Sequence, residues 1–197
     1  GGIGRAVVKE LLANGINPFL IGRSRKKLQQ VADELGVKSS RIYKTSTITS
    51  KSGFKAASDW LISQDCKFSF GIHCAGIGLM QKAEKIDLEN WIELIDINLT
   101  SAFAFFRLLW DVRDEKTIDY VYFGSASVDG IWPKNSLYGA SKAGLETFAK
   151  SLQKEIRPKG GRVWLYKPGS VRTGFFNRIK NHIPPDKMLS PEELASF

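Results

Sequence analysis

The sequence predicts an α/β fold, a Rossmann-like doubly wound parallel β-sheet flanked by helices in a three-layer α/β/α arrangement. Three observations predict it. Short apolar runs alternate with amphipathic helical stretches along the whole chain, which is the pattern of βαβ units. A glycine-rich turn, G-G-I-G, opens an amphipathic helix at the start, an arrangement that brings backbone amides up to a phosphate. No repeat or low-complexity linker interrupts the 197 residues, so a single dinucleotide-binding domain, 1–197, is expected.

The elements follow in order. Gly2 and Gly4 precede Val7, Val8, Leu11 and Leu12, so the turn runs straight into a helix. The strand that should precede such a turn is absent, and the chain is expected to be incomplete at its N-terminus. Residues 18–22 (P-F-L-I-G) read as a short buried parallel strand. Ser24 suits an N-cap, and Leu28, Val31, Ala32 and Leu35 fall at i, i+3, i+4 and i+7 before Gly36 ends the helix. Residues 41–46 are a weaker strand candidate, 54–62 a helix, and 68–74 a strand followed by A-G-I-G. Residues 87–110 are helical for most of their length, with Leu88, Trp91, Ile92 and Ile95 on one face. The second half, A-F-A-F-F-R-L-L-W, is apolar nearly all round, which predicts burial against another element or another subunit. Residues 118–123 form a strand, 136–156 a long helix, and 162–166 a strand closed by Lys167-Pro168-Gly169. In S-P-E-E-L near the end, Ser190 is a cap and Pro191 takes the first helical position.

Composition narrows the function classes. With 43% hydrophobic and 25% charged residues the chain resembles an ordinary globular domain. No apolar run approaches eighteen residues, so no membrane span is expected, and the first residues do not read as a secretory signal. Cys66 and Cys74 make neither a disulfide framework nor a metal-ligand pattern, so a reducing, cytoplasmic setting without a bound metal is expected. The net charge of +9 comes from scattered basic residues, densest at 23–27, and no nucleic-acid-binding module accompanies them. A phosphate-rich small molecule accounts for that charge as well as a duplex would, and no nucleic-acid partner is expected.

The chemistry concentrates between Ser125 and Lys142. Tyr138 and Lys142 stand four residues apart, one turn along a helix and on the same face. A phenol ionises near pH 10, and an ammonium beside it is expected to lower that value toward a working acid or base. The plainer alternative is an amphipathic pair covering apolar surface. Position favours chemistry. The glycine-rich turn, Gly22-Arg23, Ala75-Gly76 and Ser125 all fall at the carboxyl ends of expected strands, where such sheets bind nucleotides.

These residues resemble the short-chain dehydrogenase/reductase family along essentially the whole chain. Gly2-Ile3-Gly4 matches the end of that family's T-G-x-x-x-G-x-G turn, and Cys74-Ala75-Gly76 stands where it has N-A-G. Asn98 in I-D-I-N-L-T, Ser125, Tyr138-x-x-x-Lys142 and Pro168-Gly169-x-Val171-x-Thr173 follow in the same order and spacing. The resemblance implies an NAD(P)-dependent oxidoreductase that reduces a ketone or aldehyde, or oxidises the alcohol. Tyr138 would be the general acid/base, and Lys142 would hold the nicotinamide ribose. Ser125, thirteen residues before Tyr138, would bind the carbonyl in preference to Ser127, and Asn98 would anchor a proton path to Lys142. Gly2, Ile3, Gly4, Arg23, Ser24, Ala75, Gly76, Asn98, Tyr138, Lys142, Pro168, Gly169, Val171 and Thr173 would line the cofactor. Gly22 is followed by Arg23 with no carboxylate at that strand end, which favours NADP(H) over NAD(H).

Two positions depart from the family pattern. Cys74 replaces Asn, and Thr47 stands where an Asp ordinarily lies near the adenine. The family's last strand is also missing. The substrate pocket is expected from Val128, Asp129, Ile131 and Trp132 with segment 173–183, including Phe175, Phe176 and Arg178, mostly apolar and aromatic. The resemblance further implies a homodimer or homotetramer paired through the 87–110 and 136–156 helices. The competing function is a catalytically silent NADP(H)-binding regulatory protein, against which the full set of Ser125, Tyr138, Lys142 and Asn98 argues.

Overall fold

The structure, a computed structural model, describes residues 1–114, 117–175 and 183–196. Helix α1 (Gly2–Ala13) begins on the glycine turn and buries Ala6, Val7 and Val8. After β1 (Leu20–Gly22), α2 (Arg25–Leu35) is capped by Ser24, whose Oγ accepts the Lys27 N–H, and is stopped by Gly36 at φ 77°, a left-handed angle that glycine adopts without steric cost. β2 (Ile42–Lys44) leads to α3 (Lys51–Ile62), which starts earlier than its apolar spacing suggests because Ser50 caps it through the Gly53 N–H. Then come β3 (Phe70–His73), α4 (Leu88–Ile95), α5 (Ser101–Trp110), β4 (Ile118–Phe123), α6 (Ser136–Ile156), β5 (Gly161–Tyr166) and α7 (Pro191–Ala195). Ser190 and Glu193 close a reciprocal capping box on α7.

All the strand pairing is parallel. β1 pairs with β2, and β3, β4 and β5 pair in that order. Among the described residues these are two hydrogen-bonded groups, and side chains join them: Phe19 meets Trp60 and Phe68 edge-on. Three layers follow from the alternation of strand side chains. Ile21 and Tyr43 face the main core of α3, α5 and α6, whereas Leu20 and Ile42 face Val8 of α1 and Ala32 of α2. Tyr120 and Tyr122, fully buried, form the floor beneath α5 and α6.

The 87–110 stretch is helical for most of its length, as expected, with a wider π turn (Asp96–Thr100) between α4 and α5. Its apolar second half is buried in the chain's own core: Ala102, Leu108 and Leu109 pack there, and Phe103 is the large apolar side chain of α5 left exposed. Gly71 makes room for this, since a Cβ there would lie 2.1 Å from Leu109 Cδ1. On α4, Leu88, Trp91 and Ile92 are exposed while Leu94 is buried. Among the described residues no helix is long and apolar enough to cross a membrane.

Candidate active site

The parallel register aligns the ends of three strands, with His73 opposite Tyr122 and Phe123 opposite Tyr166. The chain leaves them through residues 74–76, 124–125 and 167–169, so these loops meet along one edge. Backbone bonds tie them: Gly124 N–H donates to Tyr166 O at 2.8 Å and Ala126 N–H to Pro168 O at 3.0 Å. The first turns of α6 lie over this edge and carry Tyr138 and Lys142.

Lys142 is buried and reaches down to the end of β4, where its Nζ donates to Phe123 O at 2.7 Å. Burial disfavours its charge and pulls its pKa from 10.5 to about 8. Its Nζ stands 5.9 Å from the centroid of the Tyr138 ring. Tyr138 shares a hydrogen bond with Ser125, whose Oγ also donates to Ser127 Oγ at 2.9 Å. Ser127 is therefore a neighbour of the pair, and Ser125 is the hydroxyl against the phenol.

The expected lowering of the Tyr138 pKa by Lys142 is corrected. Burial raises that pKa, and the Ser125 hydrogen bond is what pulls the other way. Lys142 is turned toward a carbonyl and is itself desolvated, so burial outweighs the neighbouring ammonium. Tyr138 is thus protonated at neutral pH.

Asn98 lies in the π turn and is completely buried. It does not bond its own helix, as an interior Asn often does. Its Oδ1 accepts the Ile77 N–H at 2.9 Å, and its Nδ2 donates to Ile77 O at 2.9 Å and Ser141 Oγ at 3.0 Å. Asn98 thereby fastens the 74–77 loop to α6. Gly76 lies between the parts: a Cβ there would stand 3.6 Å from Asn98 Oδ1 and 3.7 Å from Lys142 Nζ.

The glycine turn joins the same edge. A Cβ on Gly2 would lie 2.5 Å from Thr173 Cγ2, and one on Gly4 would lie 3.4 Å from Cys74 Cβ. Cys74 is thus a packing residue against Gly4, and burial pushes its thiol up to about 12, away from nucleophilic chemistry. Val171 is buried and pairs with Leu189, and Phe175 stands edge-on to Tyr138 at 5.6 Å.

The donor set fits a dinucleotide. α2, α3, α4 and α7 have side-chain caps, whereas α1, α5 and α6 do not; α1 starts at Gly2 with no acidic residue in its first turn, which leaves its amides for an anion. Arg23, exposed, follows the end of β1 beside Thr45, whose buried Oγ1 has no hydrogen-bond partner among the described residues. Ser24 caps α2, so its expected cofactor contact competes with that bond. Thr47 bonds Thr49, and Thr49 donates to Asp96 Oδ2 at 2.9 Å. Phe176 and Arg178 lie outside the described residues.

The sequence did not single out His73, Ser101 or Ser141. Ser141 stood within Y-G-A-S-K, but its bond to Asn98 spans 43 positions and leaves no local pattern.

Comparison with known proteins agrees with the fold. The short chain dehydrogenase family model matches residues 1–184. An uncharacterized oxidoreductase of Staphylococcus epidermidis is 27% identical over 174 residues, covering 87% of this chain and 74% of its own. One of Staphylococcus aureus is 28% identical over 202 residues, covering 98% and 83%. Among solved structures, a 3-ketoacyl-(acyl-carrier-protein) reductase from Brucella melitensis complexed with NADH superposes with a TM-score of 0.86 at 21% identity, covering 99% of this chain and 84% of its own. An alcohol dehydrogenase from Thermococcus sibiricus complexed with 5-hydroxy-NADP gives 0.85 at 22% identity, covering 99% and 83%. The chain belongs to the short-chain dehydrogenase family. It is accordingly an NAD(P)-dependent oxidoreductase of that family, with its Rossmann-like fold.

Proposed function

We propose that this protein transfers hydride between NADP(H) and a ketone or aldehyde and its alcohol, with Tyr138 as general acid and base. The observation that carries it is the convergence of Ser125, Tyr138, Lys142 and Asn98, from β4, α6 and the π turn, on the edge shared with Gly2 and Gly76. The nicotinamide, when bound, supplies or takes up the hydride. Tyr138 holds a proton at its hydroxyl for the alkoxide formed on reduction, and Ser125 orients the carbonyl oxygen beside it. Lys142, near pKa 8, gives up and regains a proton at working pH far more readily than a solvated lysine. Asn98 fastens the loop that covers it, and refilling of the proton runs along that side.

Arg23 supports NADP(H) over NAD(H), because a guanidinium pairs with a 2′-phosphate where no carboxylate stands nearby to repel it. The two solved structures compared above were complexed with different nicotinamide forms. We read the substrate as a largely apolar carbonyl compound and the chain as one cytoplasmic domain. The exposed row Leu88, Trp91, Ile92 and Phe103 is the surface through which a homodimer or homotetramer forms.

The test is NADPH consumption by the full-length protein over a carbonyl panel: a β-ketoacyl thioester, a diketone, a quinone and a ketosteroid. Turnover falling at least about 100-fold in Tyr138→Phe is the expected result. Tight NADPH binding with no turnover on any carbonyl would point to the regulatory protein instead. Arg23→Asp is expected to raise the KM for NADPH at least about 10-fold while leaving NADH little changed.

A further inference from the structure

The π turn holding Asn98 has its own lock. In a regular α-helix the Ser101 N–H would bond Ile97 O, four residues back. Here it donates to Asp96 O, five back, which leaves the Ile97 carbonyl without its helical donor. The Ser101 hydroxyl takes that place, donating to Ile97 O at 2.7 Å. Having spent its single hydrogen, Ser101 Oγ accepts from His73 Nε2, 2.8 Å away on β3. His73 is buried with its ring tilted against Phe105 and Tyr122, at 5.5 and 5.9 Å. Burial, with a smaller contribution from the Lys142 charge, holds its pKa down to about 3, so the ring stays neutral. With the Ser101 hydrogen on Ile97 O, this bond takes the tautomer that carries its proton on Nε2.

We infer that His73 and Ser101 are positioning residues for the reaction: they hold the widened turn that aims Asn98 at Ile77 and Ser141, and so fix the loop over Lys142. The inference rests on the proposed role of Asn98. Without the hydroxyl, the Ser101 N–H regains a reason to return to Ile97 O. Losing the extra residue of the turn re-registers the helix by about 100° at that point. Asn98 then no longer faces Ile77 and Ser141.

The test uses the full-length protein and the carbonyl that turns over best in the panel above. Ser101→Ala is expected to lower kcat about 10- to 100-fold, as small misplacements at a reacting centre do, with the KM for NADPH within about twofold. Ser101→Thr, which keeps the hydroxyl, restores most of the rate. His73→Phe, keeping an aromatic ring but not the N–H, falls in the same way. Amide hydrogen exchange at residues 96–101 accelerates in Ser101→Ala and His73→Phe but not in Ser101→Thr, a readout independent of turnover and of any carbonyl. If Tyr138→Phe and Asn98→Ala lose activity but Ser101→Ala and His73→Phe do not, the lock is wrong and the proposed chemistry stands. Full activity in Asn98→Ala, or failure of Ser101→Thr to rescue, also overturns the inference. Full activity in Tyr138→Phe overturns the proposed chemistry and this inference with it. Should Ser101→Ala not fold, His73→Phe and the exchange measurement decide.

Discussion

Lys142 makes a prediction whose size follows from its environment. Its pKa is about 8 in the fold and 10.5 when solvated, because burial opposes the ammonium. A difference of roughly 2.5 units at about 1.4 kcal/mol each means that keeping Lys142 charged costs the fold on the order of 3 kcal/mol at pH 7. The sign follows from proton counting. Between pH 8 and 10.5 the unfolded chain holds the proton more tightly, so this contribution to stability improves as pH rises through that window and the cost is fully present below it. By pH 10 it has fallen to about 1 kcal/mol. The hydrogen bond from Nζ to Phe123 O returns about 1 kcal/mol at any pH. Lys142→Met keeps the stem and removes the charge. The variant is expected to be more stable than the parent at pH 7, by about 1 to 2 kcal/mol. The sharper quantity is how that difference changes with pH. It should shrink by about 2 kcal/mol between pH 7 and 10, and in this change the packing of the new methionine cancels. Urea unfolding of both proteins at four pH values, without cofactor, measures it. Tyr138, 5.9 Å from Nζ, is the neighbour whose titration could couple, and Tyr138→Phe in both backgrounds removes it. A stability difference that stays flat from pH 7 to 10 would show that Lys142 is not desolvated, and the use of its proton near neutral pH would go with it.

Two glycines supply further tests. A Cβ on Gly53 would sit 1.8 Å from Thr47 O, a backbone atom that cannot swing aside, so Gly53→Ala is expected to cost at least about 2 kcal/mol in chemical denaturation despite alanine's better helix propensity. At Gly2 the obstacle is the Thr173 side chain, with Cγ2 at 2.5 Å. Gly2→Ala should therefore raise the KM for NADPH about 10-fold, and Thr173→Ser, which deletes that methyl, should return part of it.

What the sequence determined by itself is whatever repeats over a short window. The strand over residues 118–123 and the helix over 136–156 emerge with the expected bounds, because alternating and helical periods are local and β4 and α6 are long enough to display them. Ser24, Ser50 and Ser190 act within three residues of themselves, so their caps need no tertiary partner, and Ser24 and Ser190 were legible in advance. The motif residues were legible too, as positions. Only the tertiary structure decided what surrounds them. That α5 is covered by its own core depends on Gly71 admitting Leu109, a contact between distant positions. The lock on Asn98 joins β3 to a π turn 28 residues later. The sign of the Tyr138 shift shows the physical reason most directly. Sequence places a lysine one turn away, but only the packed structure withdraws water from both groups, and desolvation acts through everything that surrounds a charge, which no local spacing records.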